Sequence, residues 1–318
     1  MYREQIKVLD CTVRDGGLIN NHDFDIDFVR KIYKAISDAG VDYIELGYKN
    51  SKKLFSPKEY GLWKFCDDDV IRQVKEGIES NTKISVMVDV GRVELEDVLP
   101  KKDSPVDMIR TASYVKDIDK AIHMSNHFAD KGYETTINIM AISRDQGIEL
   151  DEAIAQIERE SKLTAVYIVD SFGSLYQEPV EHLVKKFKGI IKTKEVGFHG
   201  HNHQQLGFSN TIESIIHGAN YLDATVYGMG RAAGNCPLEL LVGFLKNPKF
   251  DIRPILDLIS GEFIPLRQKM EWGYIIPYAI AGMMNEHPKA AMALRSSDKK
   301  ENYREFYESL VNCGFGEV

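Results

Sequence analysis

Short apolar segments alternate with amphipathic segments along most of this chain, and the alternation limits the folds open to it. Eight apolar segments have strand character, and most of them are apolar throughout rather than at every second position. Such segments are typical of parallel strands that are covered on both faces. The predicted strands begin at Ile6, Tyr43, Lys83, Asp107, Glu134, Ala165, Glu195 and Tyr221.

Helical periodicity fills most of the intervals between these strands. Asp25–Gly40 places Phe28, Ile32 and Ile36 on one face and ends in a glycine, which is a common helix stop. Residues 91–107 contain two prolines and predict a loop with room for one helical turn. Four more segments share the helical pattern: Ile118–Gly132, Glu149–Ser161, Glu178–Gly189 and Phe208–Ala219.

Eight alternating units over about 240 residues predict an α/β fold, a (β/α)8 TIM barrel. The alternative is a doubly wound open sheet, which a GxGxxG motif after the first strand would favour; "RDGGLINN" stands there instead. We expect residues 1–250 to form the barrel and residues 251–318 to form a helical C-terminal extension packed on it. The aromatic residues and methionines of this extension are expected to pack, or to join copies in a homo-oligomer.

Composition narrows the functional classes. The net charge is −8 and the lysine pairs are scattered, which argues against a nucleic-acid partner. The first residues lack an apolar signal segment, and no run approaches the ~18 apolar residues of a membrane helix. The cysteines show no CxxC spacing, so we expect a cytoplasmic protein without disulfides; they are Cys11, Cys66, Cys236 and Cys313.

The most unusual stretch is "GFHGHNHQQLG", which ends the seventh predicted strand. His199 and His201 are two residues apart, so both point to the same side of the strand, and their rings can reach one metal ion. His203 lies beyond the strand end and is less constrained. Catalytic residues of a barrel come from the carboxyl ends of its strands, so this end is a candidate metal site.

The first strand ends in "DCTVRDGG". Arg14 and Asp15 cannot both face the barrel mouth from a regular strand, but a turn at Gly16-Gly17 would return Asp15 to the mouth. Asp15 with two imidazoles would form a facial set suited to Mn, Fe, Co or Zn. The alternative is a solvated Arg–Asp turn.

Further polar residues stand at or in the strands. Glu45 lies in an apolar strand and needs a partner, which Arg14 on the neighbouring strand can supply. Arg110 either binds a substrate carboxylate or forms a salt bridge inside the barrel. Asp170 and Ser171 either orient a ligand or cap a helix. The candidate substrate-binding residues are Glu45, Arg110, Asp170 and Ser171.

The loop "GMGRAAGNCPLE" follows the eighth strand. Asn235 is a candidate for contact with the metal, and Arg231 either reaches a carboxylate or lies at the surface. Cys236 is interpreted as a packed residue because no basic partner is evident.

These motifs together resemble the DRE-TIM metallolyase superfamily, the HMG-CoA lyase-like proteins, and most of all its 4-hydroxy-2-oxovalerate aldolase branch. "LDCTVRDGG" resembles the opening D-x-T-x-R-D-G of that group, and "IELGY" and "VDSFG" also fit. "GFHGHNHQQLGFSNT" and "YGMGRAAGNCPLE" are similar to its later segments. The matches occur in the expected order across residues 6–245.

The resemblance implies a divalent-metal-dependent aldolase or lyase that makes or breaks a C–C bond of a pyruvate-like 2-oxo acid through an enolate. It implies that Asp15, His199 and His201 bind Mn or Mg, with Zn or Co as alternatives. Asn235 would lie at or next to the metal, and Arg14 would stabilise the enolate.

One position departs from the aldolase pattern. The family has a histidine, thought to be the general base, where this chain has Leu18. His22 is the candidate substitute, while Asn20 and Asn21 would otherwise shape a different pocket. The competing hypotheses are a Claisen-type acyl transferase, a non-haem iron oxygenase, and a catalytically inactive barrel that acts as a binding partner.

Overall fold

Eight parallel strands close into a barrel in chain order, and the eighth pairs with the first. This computed structural model describes residues 3–312 and confirms the predicted TIM barrel. Nearly every strand residue is buried, because helices cover the outside and side chains fill the inside. The strands are β1 Lys7–Asp10, β2 Tyr43–Tyr48, β3 Lys83–Asp89, β4 Met108–Ser113, β5 Glu134–Ile139, β6 Ala165–Asp170, β7 Glu195–Gly200 and β8 Tyr221–Ala224.

The helices follow the periodic segments within a few residues. Asp25 starts α2 by accepting a hydrogen bond from the Phe28 backbone N–H at 2.7 Å, the usual N-cap contact. The helices of the barrel are α1 Thr12–Gly16, α2 Ile26–Asp38, α3 Asp68–Lys75, α4 Ile118–Asp130, α5 Ile148–Glu160, α6 Gln177–Ile190, α7 Gly207–Ile216 and α8 Leu238–Leu245.

The structure corrects three details of the sequence interpretation. The first strand ends at Asp10, and the one-turn helix α1 replaces the rest of the predicted strand. Helix α3 was not predicted, because it is only eight residues long and buries only Ile71 and Val74. Residues 91–107 form two 3-10 turns, at Leu95–Asp97 and Lys101–Asp103, rather than one.

The chain beyond the barrel is helical and packs against it. Lys31 of α2 pairs with Glu262 at 2.6 Å, and Asn285 Oδ1 accepts hydrogen bonds from the hydroxyls of Ser143 and Ser174. The division at residue 250 remains a prediction. These helices are α9 Arg253–Leu258, a π-helical turn Ile259–Phe263, α10 Ile264–Arg267, α11 Ile276–Met283, α12 Lys289–Arg295 and α13 Tyr303–Asn312.

Within residues 3–312, no helix is both long enough and apolar enough to cross a membrane. Cys11, Cys66 and Cys236 are buried free thiols. Cys313 lies outside the described residues.

Candidate active site

A cavity of about 440 Å³ opens at the carboxyl ends of the strands. Five of the predicted site residues line it: Arg14, Asp15, Ser171, His199 and His201. A larger cavity of about 900 Å³ lies at the opposite end of the barrel, among residues that begin the strands. Catalytic groups of TIM barrels lie at the carboxyl end, so the smaller cavity is the candidate active site.

Helix α1 brings Arg14 and Asp15 to the mouth together. Asp10 accepts hydrogen bonds from the Thr12 hydroxyl at 2.5 Å and from its backbone N–H at 3.3 Å. The Thr12 hydroxyl in turn accepts from the Val226 N–H at 2.8 Å, which ties α1 to the loop after β8. Consecutive residues of a helix are about 100° apart rather than on opposite sides, so this turn, and not the glycine pair, orients both side chains.

Three donor groups converge at one end of the cavity. Ligand atoms of Asp15, His199 and His201 all lie within 4.8 Å of one another, and all three residues are buried. Asp223 Oδ2 lies 2.9 Å from His199 Nδ1, which leaves Nε2 of that ring for a ligand. His201 Nδ1 is buried without a hydrogen-bond partner among residues 3–312. A carboxylate and two imidazoles, one of which has a buried nitrogen without a partner, fit a divalent cation.

A second group of three residues has ligand atoms equally close together but fits a cation less well. It consists of Cys11, His199 and Asp223. Asp223 is already engaged by Arg110 Nη2 at 2.5 Å, and burial raises the pKa of the Cys11 thiol. A neutral thiol and an occupied carboxylate are poor ligands, so Asp15, His199 and His201 remain the candidate metal set.

Arg14 is held beside this set by two carboxylates. Its Nε lies 2.7 Å from Glu45 Oε2 and its Nη1 lies 2.8 Å from Asp15 Oδ1. Burial alone would raise the pKa of Asp15, but the charges of Arg14, His201 and His199 hold that pKa well below its usual range. Asp15 is therefore ionised at neutral pH, as a metal ligand must be.

The network of charged side chains extends below the cavity floor. Arg110 Nη1 lies 3.2 Å from Glu45 Oε1, and Arg110 stacks 4.4 Å from the ring centre of Tyr167. Arg110 is fully buried, and neither Arg110 nor Glu45 lines the cavity. The geometry favours the salt bridge, which was one of the two alternatives for Arg110, and substrate contact by Glu45 and Arg110 stays a prediction.

The glycine-rich loop after β8 seats Asn235 against the candidate ligands. Asn235 Nδ2 donates to Asp15 Oδ2 at 2.5 Å, and its backbone bridges that of His201. A Cβ on Gly230 would lie 2.2 Å from Asn235 Nδ2 and 2.4 Å from Asp15 Oδ2. Gly234 has a positive φ of +74°, which favours glycine. The loop therefore needs glycines to approach Asp15 closely.

Asp170 and Ser171 have different positions. Asp170 accepts hydrogen bonds from the Ser174 and Leu175 backbone N–H groups at 3.0 and 3.1 Å, which holds the turn after β6 rather than capping helix α6, and burial raises its pKa to about 6. Ser171 Oγ accepts from the Ala141 N–H at 2.9 Å. Only Ser171 of the two lines the cavity, so its substrate contact remains a prediction.

His22 lies behind the cavity wall. Its ring meets that of Tyr48 edge-on at 5.3 Å, and burial lowers its pKa to about 3. Leu18 and Tyr48 line the cavity whereas His22 does not. His203 is fully buried, and both of its ring nitrogens lack partners among residues 3–312. The structure therefore gives neither histidine direct access to a substrate.

Sequence reasoning missed Lys64, Tyr48 and Asp223. Asp223 is a carboxylate in an apolar strand, the same signal that identified Glu45. Lys64 ends a short 3-10 turn, Leu62–Lys64, and the only unusual feature of this segment in the sequence is the density of aromatic residues in "EYGLWKF". In the C-terminal helical segment, His287 lines the cavity, while Tyr274 is exposed.

The sequence profile described as HMGL-like matches residues 5–260. The chain belongs to the HMGL-like family. The candidate metal site, at the carboxyl ends of β1 and β7, is where TIM barrels place their chemistry. This membership confirms the resemblance inferred from the sequence motifs.

Two curated relatives cover most of the chain. It is 29% identical over 261 residues to 4-hydroxy-2-oxovalerate aldolase of Thermus thermophilus, and the alignment covers 81% of this chain and 74% of the relative. It is 30% identical over 248 residues to oxaloacetate decarboxylase of Mycobacterium tuberculosis, covering 77% and 71%.

Solved structures share the fold. The N-terminal domain of a provisionally named aldolase from Bacteroides vulgatus aligns with a TM-score of 0.79 at 30% identity, covering 94% of this chain and 100% of that domain. The carboxyl transferase domain of Rhizobium etli pyruvate carboxylase aligns with a TM-score of 0.72 at 12% identity, covering 98% and 56%. At 12% identity, the alignment with the carboxyl transferase domain shows only that the two folds are alike.

Proposed function

We propose that this protein is a divalent-metal-dependent carbon–carbon lyase that acts on a pyruvate-like 2-oxo acid through an enolate. The observation that carries the proposal is the convergence of Asp15, His199 and His201 beside the guanidinium of Arg14 in one cavity. Both curated relatives are named for reactions that break a C–C bond of a 2-oxo acid, which supports the same class here.

The cation is Mn or Mg in this proposal, as the family resemblance implies, and one carboxylate with two imidazoles would leave coordination positions open on it. When bound, it supplies Lewis-acid stabilisation of the negative charge that develops on the substrate. Asp15, His199 and His201 would hold it, and Asp223 fixes the tautomer of His199 by accepting from Nδ1. Asn235 keeps the second oxygen of Asp15 oriented.

Arg14 stabilises the enolate oxygen. Nε and Nη1 are engaged by Glu45 and Asp15, whereas Nη2 makes no hydrogen bond within residues 3–312, and the side chain lines the cavity. A guanidinium whose position is fixed by two carboxylates can donate to a developing oxyanion without reorganising.

The test is exchange of the methyl protons of pyruvate for deuterium, read by mass spectrometry with added Mn and with a chelator. Metal-dependent exchange above the rate in buffer is expected. Exchange that is absent with metal bound, or unaffected by the chelator, would contradict the proposal. We further propose that the protein is cytoplasmic and that it forms a homo-oligomer. Sedimentation velocity would test the oligomeric state.

A further inference from the structure

Lys64 is buried in the active-site cavity without a carboxylate partner. It is 7% exposed and lines the cavity. Its Nζ lies 5.0, 4.5 and 5.1 Å from the ring centres of Tyr48, Phe55 and Tyr60. Among residues 3–312, no carboxylate lies within ion-pair distance of it.

Such a position is unusual for a lysine. Lysines are almost never buried unless they are paired, and aromatic faces attract the charge without accepting its N–H groups as a carboxylate would. Asp89, the acidic group that acts on Lys64 at longer range, is itself engaged by Arg92 at 3.0 Å. The ammonium therefore keeps donors available to whatever fills the cavity.

The cavity as a whole has more free cations than free anions. Arg14 and Arg92 are paired, and Asp117 is paired with Lys120. The cations that line the cavity without a carboxylate partner in the described chain are Lys64, Lys116 and Arg231. This local excess occurs in a protein whose net charge is −8, so it marks a site for negative charge.

An apolar wall accompanies these charged groups. Tyr48, Met87 and Ala112 form a buried cluster, and Leu18 and Met140 pack against it. All five line the cavity. A ligand that fits this lining has one end for the metal and Arg14, an aliphatic middle, and a second anionic end.

We propose that Lys64 binds a second anionic group of the substrate, so that the substrate class is a 2-oxo acid with a carboxylate or a phosphate-type group at its far end. This inference rests on the proposed function for the identity of the metal-bound end. Leu18 then acts as part of the aliphatic wall. The aromatic cage positions the ammonium, and the ion pair with substrate replaces the missing carboxylate partner.

The test is calorimetric binding to the Mn-loaded protein of two 2-oxo acids of the same shape. They are 2-oxoglutarate and 5-methyl-2-oxohexanoate, in which an isopropyl group replaces the terminal carboxylate. We expect the wild type to bind 2-oxoglutarate roughly 10- to 100-fold more tightly, the range for a hydrogen-bonded charged group. Lys64→Met should remove most of this preference, Lys64→Arg should keep part of it, and Lys58→Met, at an exposed lysine, should leave it unchanged.

Absence of a preference in the wild type, or an unchanged preference in Lys64→Met, overturns the inference. 2-Oxo-4-phosphonobutanoate in place of 2-oxoglutarate distinguishes a phosphate-type group from a carboxylate. Because binding is measured rather than turnover, failure of the proposed lyase function would be seen separately, as absent pyruvate exchange.

Discussion

Arg14 Nε donates to Glu45 Oε2 at 2.7 Å, and this contact between β2 and the turn after β1 fixes the guanidinium at the edge of the cavity. We expect Glu45→Gln to lower the pyruvate exchange rate roughly 10- to 100-fold, because a mispositioned donor stabilises the enolate poorly. Mn affinity, measured by calorimetry, should change far less. Glu262→Gln, at a surface pair, is the control, and an equal loss in both variants would contradict the role of Arg14.

His201 is one of three candidate ligands. We expect His201→Ala to weaken Mn binding by about 100-fold or more, since even outer-shell partners of metal ligands are worth 10- to 100-fold. His182→Ala removes an exposed histidine of helix α6 and should leave Mn affinity unchanged. Titration calorimetry of both variants decides; undiminished affinity in His201→Ala would place the ion elsewhere.

Gly230 leaves no room for a side chain. Gly230→Ala would place a Cβ 2.2 Å from Asn235 Nδ2 and 2.4 Å from Asp15 Oδ2, so we expect Mn affinity to fall about tenfold or more. Gly243→Ala, with nothing within 4 Å of its Cβ, should preserve affinity and stabilise helix α8 by roughly 0.5–1 kcal/mol. Equal affinities for the two variants would argue against this packing.

His22 was the sequence candidate for the missing base, and its position predicts otherwise. His22→Asn should leave the exchange rate within about threefold, because the ring lies behind Tyr48, and asparagine tolerates the positive φ of 62° at this position. A loss of 100-fold or more, with Mn still bound, would show that His22 reaches the substrate.

Asp10 makes stability depend on pH. Burial raises the pKa of this fully buried carboxyl to about 7, so the folded state holds a proton that the unfolded chain releases above pH 4. Its stabilising effect is greatest below the unfolded pKa and is lost as pH rises towards 7. Relative to wild type, Asp10→Asn should gain about 2–3 kcal/mol of unfolding free energy between pH 5 and pH 8. Urea unfolding at both values checks this, and a constant difference would refute it.

Local patterns predicted the barrel because each βα unit carries its own signal. Continuous apolar runs such as "AVYIVD" require cover on both faces, and the spacing of His199 and His201 fixes their common side. The pairing of Glu45 with Arg14 was also predictable from local sequence, because a carboxylate in an apolar strand needs a partner.

The remainder depends on contacts between distant segments. That α1 is a helical turn follows from the bond between Thr12 and Val226, which lie 214 positions apart. His22, which lies in a turn, is shielded by Tyr48 at the end of strand β2. The Lys64 ammonium is surrounded by the aromatic rings at positions 48, 55 and 60. A cage of this kind has no regular spacing in the sequence, so periodicity could not predict it.

The most direct measurement of the central claim is the rate of pyruvate methyl exchange as a function of the fraction of protein that holds Mn. The account predicts a rate proportional to occupancy, saturating at one ion per chain, and no enzyme-dependent exchange in His201→Ala at the same total Mn. Exchange that persists in that variant, or that does not follow occupancy, would contradict the assignment of the metal site and of the chemistry.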